Sequence, residues 1–278
     1  MKIFISVDIE GVAGVVHPHQ GSAGSPEYRD ACRLMTLECN AAIEGALEAG
    51  AQEFVVNDSH AQSRNLIAEE LHPAAELVSG QHSLLYMCTG LGPGFDAAFF
   101  IGYHGSIGTR DAVIDHTYNG RAVAQVRING RPQSEGSLNG AVAGYFGCPV
   151  ALFSGDAAAL SEMHEFVLPV EGVVVKEGIS RYSAKSLHPS VARARIREGA
   201  KRAIERLQNI QPLVHDGAVD LEVDLFYAVM ADLCERIPGI ERRGPRTIGY
   251  AGDDYLEVFK LFLAVTTIAG TAIVEPYT

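Results

Sequence analysis

Short apolar runs alternate with longer segments of helical periodicity along the first two thirds of the chain. The first run ends at Asp8, a helix is predicted from the Ser25-Pro26 start signal to Gly50, and a second run ends at Asp58. Parallel strands need a crossover, which is usually a helix, so this alternation predicts an α/β fold with a mostly parallel sheet flanked by helices. The further runs that we predict as strands are AELVSG, AAFFIGY, PVALFSG and EGVVVKEG.

Two regions depart from this alternating pattern. The segment DAVIDHTYNGRAVAQVRING carries Asn119-Gly120 between two runs, so we predict a β-hairpin inserted in the α/β body. Near the C-terminus, VDLEVDL alternates as a strand does, and DDYLEVFKLFLAV has the pattern of a closing helix. We therefore predict an α/β domain over residues 1–188, which carries the candidate site residues given below, and a small C-terminal α+β subdomain over residues 189–278.

Composition and charge exclude several classes of function. With 34 acidic against 22 basic side chains, the formal charge is -12, which argues against nucleic acid as a partner. The five cysteines are scattered and form no CxxC pair, so neither a disulfide framework nor a thiolate zinc site is expected. The N-terminus meets a charge too early for a signal peptide, and no apolar run is long enough to cross a bilayer. We expect a cytoplasmic protein that does not contact the membrane.

Acidic and imidazole side chains follow the ends of several predicted elements. Because ligand sites in α/β sheets lie beyond the carboxyl ends of the strands, we expect these side chains to meet. Two carboxylates two residues apart on a strand point to the same side and repel, so a cation is expected between them. The five residues are Asp8 and Glu10 after the first strand, His60 after the second, His104 after AAFFIGY, and Glu135 before the helix-like LNGAVAGYF.

This set of oxygen and imidazole ligands suits zinc and tolerates manganese or cobalt. Five ligands are too many for one closed tetrahedral site, whereas two metals about 3.5 to 4 Å apart would use them all. His116, on the predicted hairpin, is a sixth candidate because such a site also needs a proton donor or base that is not a ligand. The alternative for each residue is structural: acids at strand ends often cap a helix, and a hairpin histidine can pack against its neighbours.

These residues lie in blocks that resemble the D-aminopeptidases of peptidase family M55. The resemblance rests on SVDIEG, NDSH, GYHG, DHTYNG and SEG, in that order. It implies a zinc-dependent D-aminopeptidase that hydrolyses short peptides with an N-terminal D-amino acid such as D-Ala through a metal-activated water. The family's catalytic histidine falls on His116. The ligands of its two Zn²⁺ ions, with the first residue as the bridge, fall on Asp8, Glu10, His60, His104 and Glu135.

The resemblance also implies a ring-shaped homo-oligomer, a decamer in the type member, with the active sites in its interior. The apolar closing segment DDYLEVFKLFLAVTTIAGTAIV agrees with an interface, and it can equally pack on its own chain.

Two other functions stay open. A two-metal phosphoesterase would use the same centre, but no Arg or Lys stands close to the metal motifs to hold a phosphate, and Lys176 and Arg181 are the nearest candidates. A non-catalytic metal- or peptide-binding protein would keep the site and lack turnover.

Overall fold

A computed structural model describes residues 1–81, 83–167 and 169–272 of the chain. Its strands, in chain order, are β1 (Lys2–Val7), β2 (Glu53–Asp58), β3 (Ala75–Val78), β4 (Ala97–Tyr103), β5 (Val123–Ile128), β6 (Arg131–Pro132), β7 (Val150–Asp156), β8 (Glu171–Ser180), β9 (Ser183–Ser186), β10 (Val219–Leu225), β11 (Glu241–Arg242) and β12 (Thr247–Gly252). Its helices are α1 (Pro18–Gly21), α2 (Tyr28–Glu48), α3 (Glu135–Tyr145), α4 (Ala157–His164), α5 (Pro189–Glu205), α6 (Ala228–Cys234) and α7 (Tyr255–Gly270).

The larger of the two sheets has seven strands in the order β3-β2-β1-β4-β7-β8-β9. All neighbours pair in parallel except β8 and β9, which form an antiparallel hairpin at one edge. The strands β1, β4 and β7 are buried almost throughout, as expected for parallel strands that are covered on both faces and therefore read as continuous apolar runs. The predicted mostly parallel α/β sheet is confirmed.

Helices cover this sheet and connect its strands. The long helix α2 packs along α5, and both contact the sheet, while α3 and α4 pack on each other and on β7. The helix predicted from Ser25-Pro26 is confirmed as α2, although it begins at Tyr28. It ends before Gly50, whose φ of 92° is a left-handed conformation that glycine adopts without strain.

The second sheet is antiparallel, in the order β11-β12-β10-β5-β6. Its hairpin β5–β6 turns at Asn129 and Gly130, with φ of 51° and 75°, so the predicted turn at Asn119-Gly120 is wrong. A two-residue hairpin of this kind needs positive φ at both central residues. At the first Asn-Gly pair, the positive φ falls instead on Tyr118, at 60°. The preceding segment, residues 104–122, is irregular and carries no strand.

The predicted closing helix is confirmed as α7, and one face of it packs on α3, α6 and the second sheet. The last residues of the apolar closing segment, from 273 onward, lie outside the described residues. The division between residues 188 and 189 stays a prediction: β5 and β6 join the second sheet from before it, and α5 packs on α2 from after it. Within the described part of the chain, no helix has both the length and the apolar composition to cross a bilayer.

Candidate active site

The sheet order brings the carboxyl ends of three strands side by side. β1 lies between β2 and β4, at the point where the strand order changes direction, which is where α/β sheets form ligand sites. Asp8 follows β1, His60 comes two residues after β2, and His104 follows β4 directly. The sheet therefore brings together the strand-end residues singled out in the sequence.

The loop that carries Glu10 lies very close to the end of β4. The Gly11 amide donates to the Gly102 carbonyl at 2.7 Å, and a Cβ on Gly11 would lie only 1.9 Å from the Tyr103 carbonyl oxygen. A Cβ on Gly102, which has a φ of 75°, would lie 2.2 Å from the Asp8 carbonyl oxygen. Only glycine fits at both positions. This close approach fixes the acidic loop against the strand that presents His104.

Each of the three candidate histidines bonds one ring nitrogen to a backbone carbonyl. His60 Nε2 lies 2.8 Å from the Gly21 oxygen, His104 Nδ1 lies 2.9 Å from the Gly105 oxygen, and His116 Nδ1 lies 2.8 Å from the Ile114 oxygen. A carbonyl oxygen accepts only, so that nitrogen carries the hydrogen and the other nitrogen of a neutral ring is free to bind. Metal-binding histidines are oriented in this way.

The free ring nitrogens point at carboxylates. His60 Nδ1 lies 3.4 Å from Asp8 Oδ1 and 3.0 Å from Glu10 Oε2. His104 Nε2 lies 3.5 Å from Asp8 Oδ2 and 3.6 Å from Glu135 Oε1. The two oxygens of Asp8 thus face two different histidines. Such an arrangement suits a carboxylate that bridges two cations.

The buried acidic and imidazole groups of this cluster shift one another's pKa values. Burial and the charge of Glu10 raise the pKa of Asp8 to about 8. Burial acts to raise the pKa of Glu10 as well, but the charge of His60 holds it well below its usual value. Burial would lower the pKa of His104, yet the charge of Glu135 raises that pKa well above its usual value. The buried carboxylates therefore favour positive charge between them.

Two polar atoms of the cluster fit a metal better than they fit the apoprotein. Glu10 Oε2 and His104 Nε2 are buried and make no well-aligned hydrogen bond within the described part of the chain, although His60 Nδ1 lies 3.0 Å from Glu10 Oε2. Buried polar atoms without a partner are rare because each costs free energy. Groups of three side chains, Asp8 with Glu10 and His104, and His104 with His116 and Glu135, each bring their ligand atoms within 4.8 Å of one another. The donor set and its geometry fit zinc.

Glu135 and His116 reach the site from outside the strand ends. Glu135 is the first residue of α3, after the N-cap Ser134, and it accepts a hydrogen bond from the Tyr118 amide at 2.6 Å. His116 stacks on His104 with ring centroids 4.1 Å apart, and its Nε2 lies 3.7 Å from Glu135 Oε1. His116 is 19% exposed against 1% for His104, so it faces the solvent side of the cluster.

The ammonium of Lys176, which the sequence suggests only as a candidate to hold a phosphate, is buried close to the cluster. Lys176 in β8 is 1% exposed and donates to three carbonyls of a single loop, those of Glu10, Val12 (3.1 Å) and Val15 (2.6 Å). Burial lowers the pKa of Lys176 to about 8. The sequence pattern of β8 does not indicate these hydrogen bonds, because the three acceptor carbonyls lie more than 160 residues away along the chain. Lys176 therefore holds the loop that presents Glu10.

Arg181 supports the His116 segment from the β8–β9 turn. Its guanidinium lies 3.2 Å from Asp115 Oδ1 and 2.9 Å from the Asp115 carbonyl oxygen, while its own carbonyl accepts from the Ile114 amide at 2.8 Å. Ile114 has a φ of 53°, which is uncommon for a β-branched residue. Arg181 thus braces a strained segment next to His116.

A cavity of about 490 Å³ opens onto the cluster. We call Asp8, Glu10, His60, His104 and Glu135 the inner end, and we call His116, Tyr118, Arg121 and α7 the outer wall. Leu263, Thr266 and Thr267 of α7 line the cavity. So does Arg121, which corrects the expectation that no basic side chain stands near the metal motifs.

Comparisons with known proteins identify the family of the chain. The model of a family described as D-aminopeptidase, peptidase M55, matches residues 1–264. A D-aminopeptidase of Bacillus subtilis (strain 168) is 34% identical over 270 residues, which cover 97% of this chain and 98% of that protein. The structure of the Zn-dependent D-aminopeptidase DppA from Bacillus subtilis, called a self-compartmentalizing protease, superposes with a TM-score of 0.95 at 33% identity over 98% of this chain and 99% of that one.

Proposed function

The chain belongs to the D-aminopeptidase family, peptidase family M55, and on this premise we propose that it removes an N-terminal D-amino acid such as D-Ala from short peptides. It is a metallo-aminopeptidase, and zinc is the metal that the related DppA requires. One observation carries the proposal for this chain: each of three histidines fixes one ring nitrogen on a carbonyl and turns the other toward the buried carboxylates of the cavity.

We propose that the five residues of the inner end hold two zinc ions per chain. Asp8 is the bridging ligand, because its two oxygens face His60 and His104 separately. Glu10 completes the His60 side, and Glu135 completes the His104 side. When bound, zinc ions activate water and polarise a carbonyl, which is the chemistry that amide hydrolysis needs.

His116 is proposed as the proton shuttle. Its Nδ1 hydrogen bonds to the Ile114 carbonyl, so Nε2 of the neutral ring has no hydrogen and accepts a proton. His116 takes the proton released as water adds to the scissile carbonyl, and returns it to the amide nitrogen as the C–N bond breaks. Its Nε2 also lies within reach of Glu135, so the choice of shuttle over ligand rests on its greater exposure at the cavity.

The two other candidate functions have less support than the peptidase, whose family model matches residues 1–264. Arg121 lines the cavity and is the basic side chain available there to a phosphate. For a phosphoesterase, the basic residues considered in the sequence were Lys176 and Arg181. The ammonium of Lys176 is buried and bonded to three carbonyls, and Arg181 is paired with Asp115. A non-catalytic binding protein would have no need of a partly exposed histidine held beside the metal ligands.

For assembly we propose a ring-shaped homo-oligomer, with ten chains as in the type member of the family. The self-compartmentalizing DppA supports this, because a closed ring confines the active sites and admits short peptides while excluding folded proteins. Light scattering that returned the 29.8 kDa mass of one chain from a fully active sample would contradict it. The cytoplasmic location expected from the sequence stays a prediction.

The proposed function is tested with the purified, zinc-loaded protein. D-Ala-p-nitroanilide should be cleaved with kcat/KM at least about tenfold above that for the L-isomer, and p-nitrophenyl phosphate should not be cleaved. Chelation should abolish turnover, and zinc, manganese or cobalt should restore it. His164→Ala, which changes a histidine on α4, serves as a control with full activity. Cleavage of the phosphate ester alone would favour the phosphoesterase, and no turnover of any substrate would favour the binding protein.

A further inference from the structure

The cavity has an uneven distribution of charge. Three of the proposed metal ligands, Asp8, Glu135 and His60, line it together with His116. Arg121 is the sole lysine or arginine that lines the cavity in the part of the chain that the structure describes. The remaining lining residues are neutral. A substrate that fills this cavity therefore meets a metal-binding cluster at one end and a single guanidinium elsewhere.

The backbone of Arg121 is fixed relative to the inner end. Its amide donates to Asn119 Oδ1 at 3.1 Å, and the Ala122 and Val123 amides both donate to the Asn119 carbonyl at 2.9 Å. Asn119 Nδ2 in turn donates to the Thr266 carbonyl of α7 at 3.2 Å. This turn leads directly into β5, so Arg121 is presented from an ordered turn.

This turn lies within the length of a short peptide from the metal ligands. The Tyr118 amide donates a hydrogen bond to Glu135 Oε1, and Arg121 lies three residues after Tyr118 in the chain. Three residues of chain span at most about 11 Å, and an extended dipeptide spans about 7 Å. The long side chain of Arg121 can therefore reach a group that lies one or two residues beyond a scissile bond at the inner end. In a dipeptide or tripeptide, that group is the terminal carboxylate.

We propose that Arg121 binds the free α-carboxylate of a di- or tripeptide substrate, which makes it a specificity-determining residue. This rests on the proposed peptidase function and adds the substrate class: short peptides with an unblocked C-terminus. A guanidinium matches a carboxylate with two parallel hydrogen bonds, which a neutral amide or an ester cannot reproduce. Arg121 is exposed, so the peptide does not have to displace a buried partner.

The test compares D-Ala-D-Ala with its C-terminal amide on the zinc-loaded enzyme. The parent should favour the free acid, and Arg121→Ala should lower the acid-to-amide ratio of kcat/KM by roughly 10- to 100-fold, the range for one lost charge-assisted pair. The change should appear in KM rather than kcat. Arg121→Lys should recover part of the ratio, because it keeps the charge and loses the paired geometry.

Arg110→Ala is the matched control, since Arg110 is almost fully exposed and does not line the cavity. It should leave the ratio unchanged. A ratio in Arg121→Ala within about twofold of the parent would overturn the role of Arg121 while leaving the peptidase intact. A parent that cleaves neither peptide would instead refute the proposed function, and this inference with it.

Discussion

The inner end and the outer wall of the cavity are built from different kinds of structure. Four of the five inner residues follow the buried strands β1, β2 and β4, and the fifth begins a helix. The outer wall comes from the irregular segment 104–122 and from α7, near the end of the chain. Backbone pairing places the strands of the inner end, and the side chain of Lys176 holds its Glu10 loop. The outer wall has no strand pairing of its own, and side chains from distant parts of the sequence hold it.

This difference suggests that the inner end holds the metal and that the outer wall contacts the substrate. A metal centre needs ligands held to a few tenths of an ångström, and strand ends in a covered sheet supply that rigidity. Substrate contacts vary between relatives with different specificity, and loops on a rigid scaffold supply that variation. We therefore expect substitutions at the inner end to remove metal and turnover together. Substitutions in the outer wall should change turnover or specificity while the metal stays bound.

The largest effect is expected for Asp8→Ala at the inner end. The variant loses the carboxylate that faces both His60 and His104, so metal affinity should fall by more than the 10- to 100-fold typical of losing an outer partner. Activity should fall with it. Zinc content after dialysis is the measurement. Two zinc ions retained by a folded Asp8→Ala protein would show that Asp8 is not the bridge.

The next largest effect is expected for His116→Ala in the outer wall. Removing the proposed proton shuttle should lower kcat by roughly 10²- to 10⁴-fold. Zinc content should stay at the parental value, because the proposal does not make His116 a ligand. Metal analysis and steady-state kinetics on one preparation separate the two readouts. Loss of one zinc ion from this variant would show that His116 is a metal ligand.

A smaller effect is expected for Lys176→Met, which acts on the inner end through Glu10. The methionine fills a similar volume without donating to the three carbonyls of the ligand loop. Zinc affinity, measured by competition with a chromogenic chelator, should fall roughly 10- to 100-fold. Lys185→Met on β9 is the control, since Lys185 is 79% exposed. Equal zinc affinity in the parent and in a folded Lys176→Met protein would remove Lys176 from the metal site.

The smallest effect is expected for Arg181→Ala. Arg181 is about half exposed, and such ion pairs contribute about 1 kcal/mol or less, so kcat should fall by no more than about fivefold. Zinc content should not change. Arg110→Ala again serves as the exposed control. A loss of kcat as large as that of His116→Ala would mean that the whole segment, rather than one histidine, has moved.

The same contrast explains what could be predicted from the sequence. The proximity of Asp8, His60 and His104 could be predicted because a strand end is a local signal, and parallel strands bring their carboxyl ends to one edge of the sheet. The family resemblance pointed to the same positions. The hairpin turn was misplaced because Asn119-Gly120 and Asn129-Gly130 carry the same local signal. Asn119 instead bonds to Thr266, 147 residues away, which no short window reveals.

The roles of Lys176 and Arg121 could not be predicted from local sequence patterns, for a similar reason. Lys176 sits in a strand whose sequence gives no hint that its ammonium is buried under a loop from the other end of the domain. Arg121 follows the DHTYNG block by one residue, and its place in the cavity depends on the turn that docks on α7. Both roles are defined by tertiary contacts.

We propose that the five residues of the inner end hold two zinc ions. The most direct test is an anomalous difference map at the zinc edge, recorded from a crystal of the zinc-loaded, active protein. Two peaks are predicted about 3.5 to 4 Å apart. One should lie beside His60 and Glu10, the other beside His104 and Glu135, with Asp8 between them. A single peak, or a second peak outside this cluster, would contradict the dinuclear site.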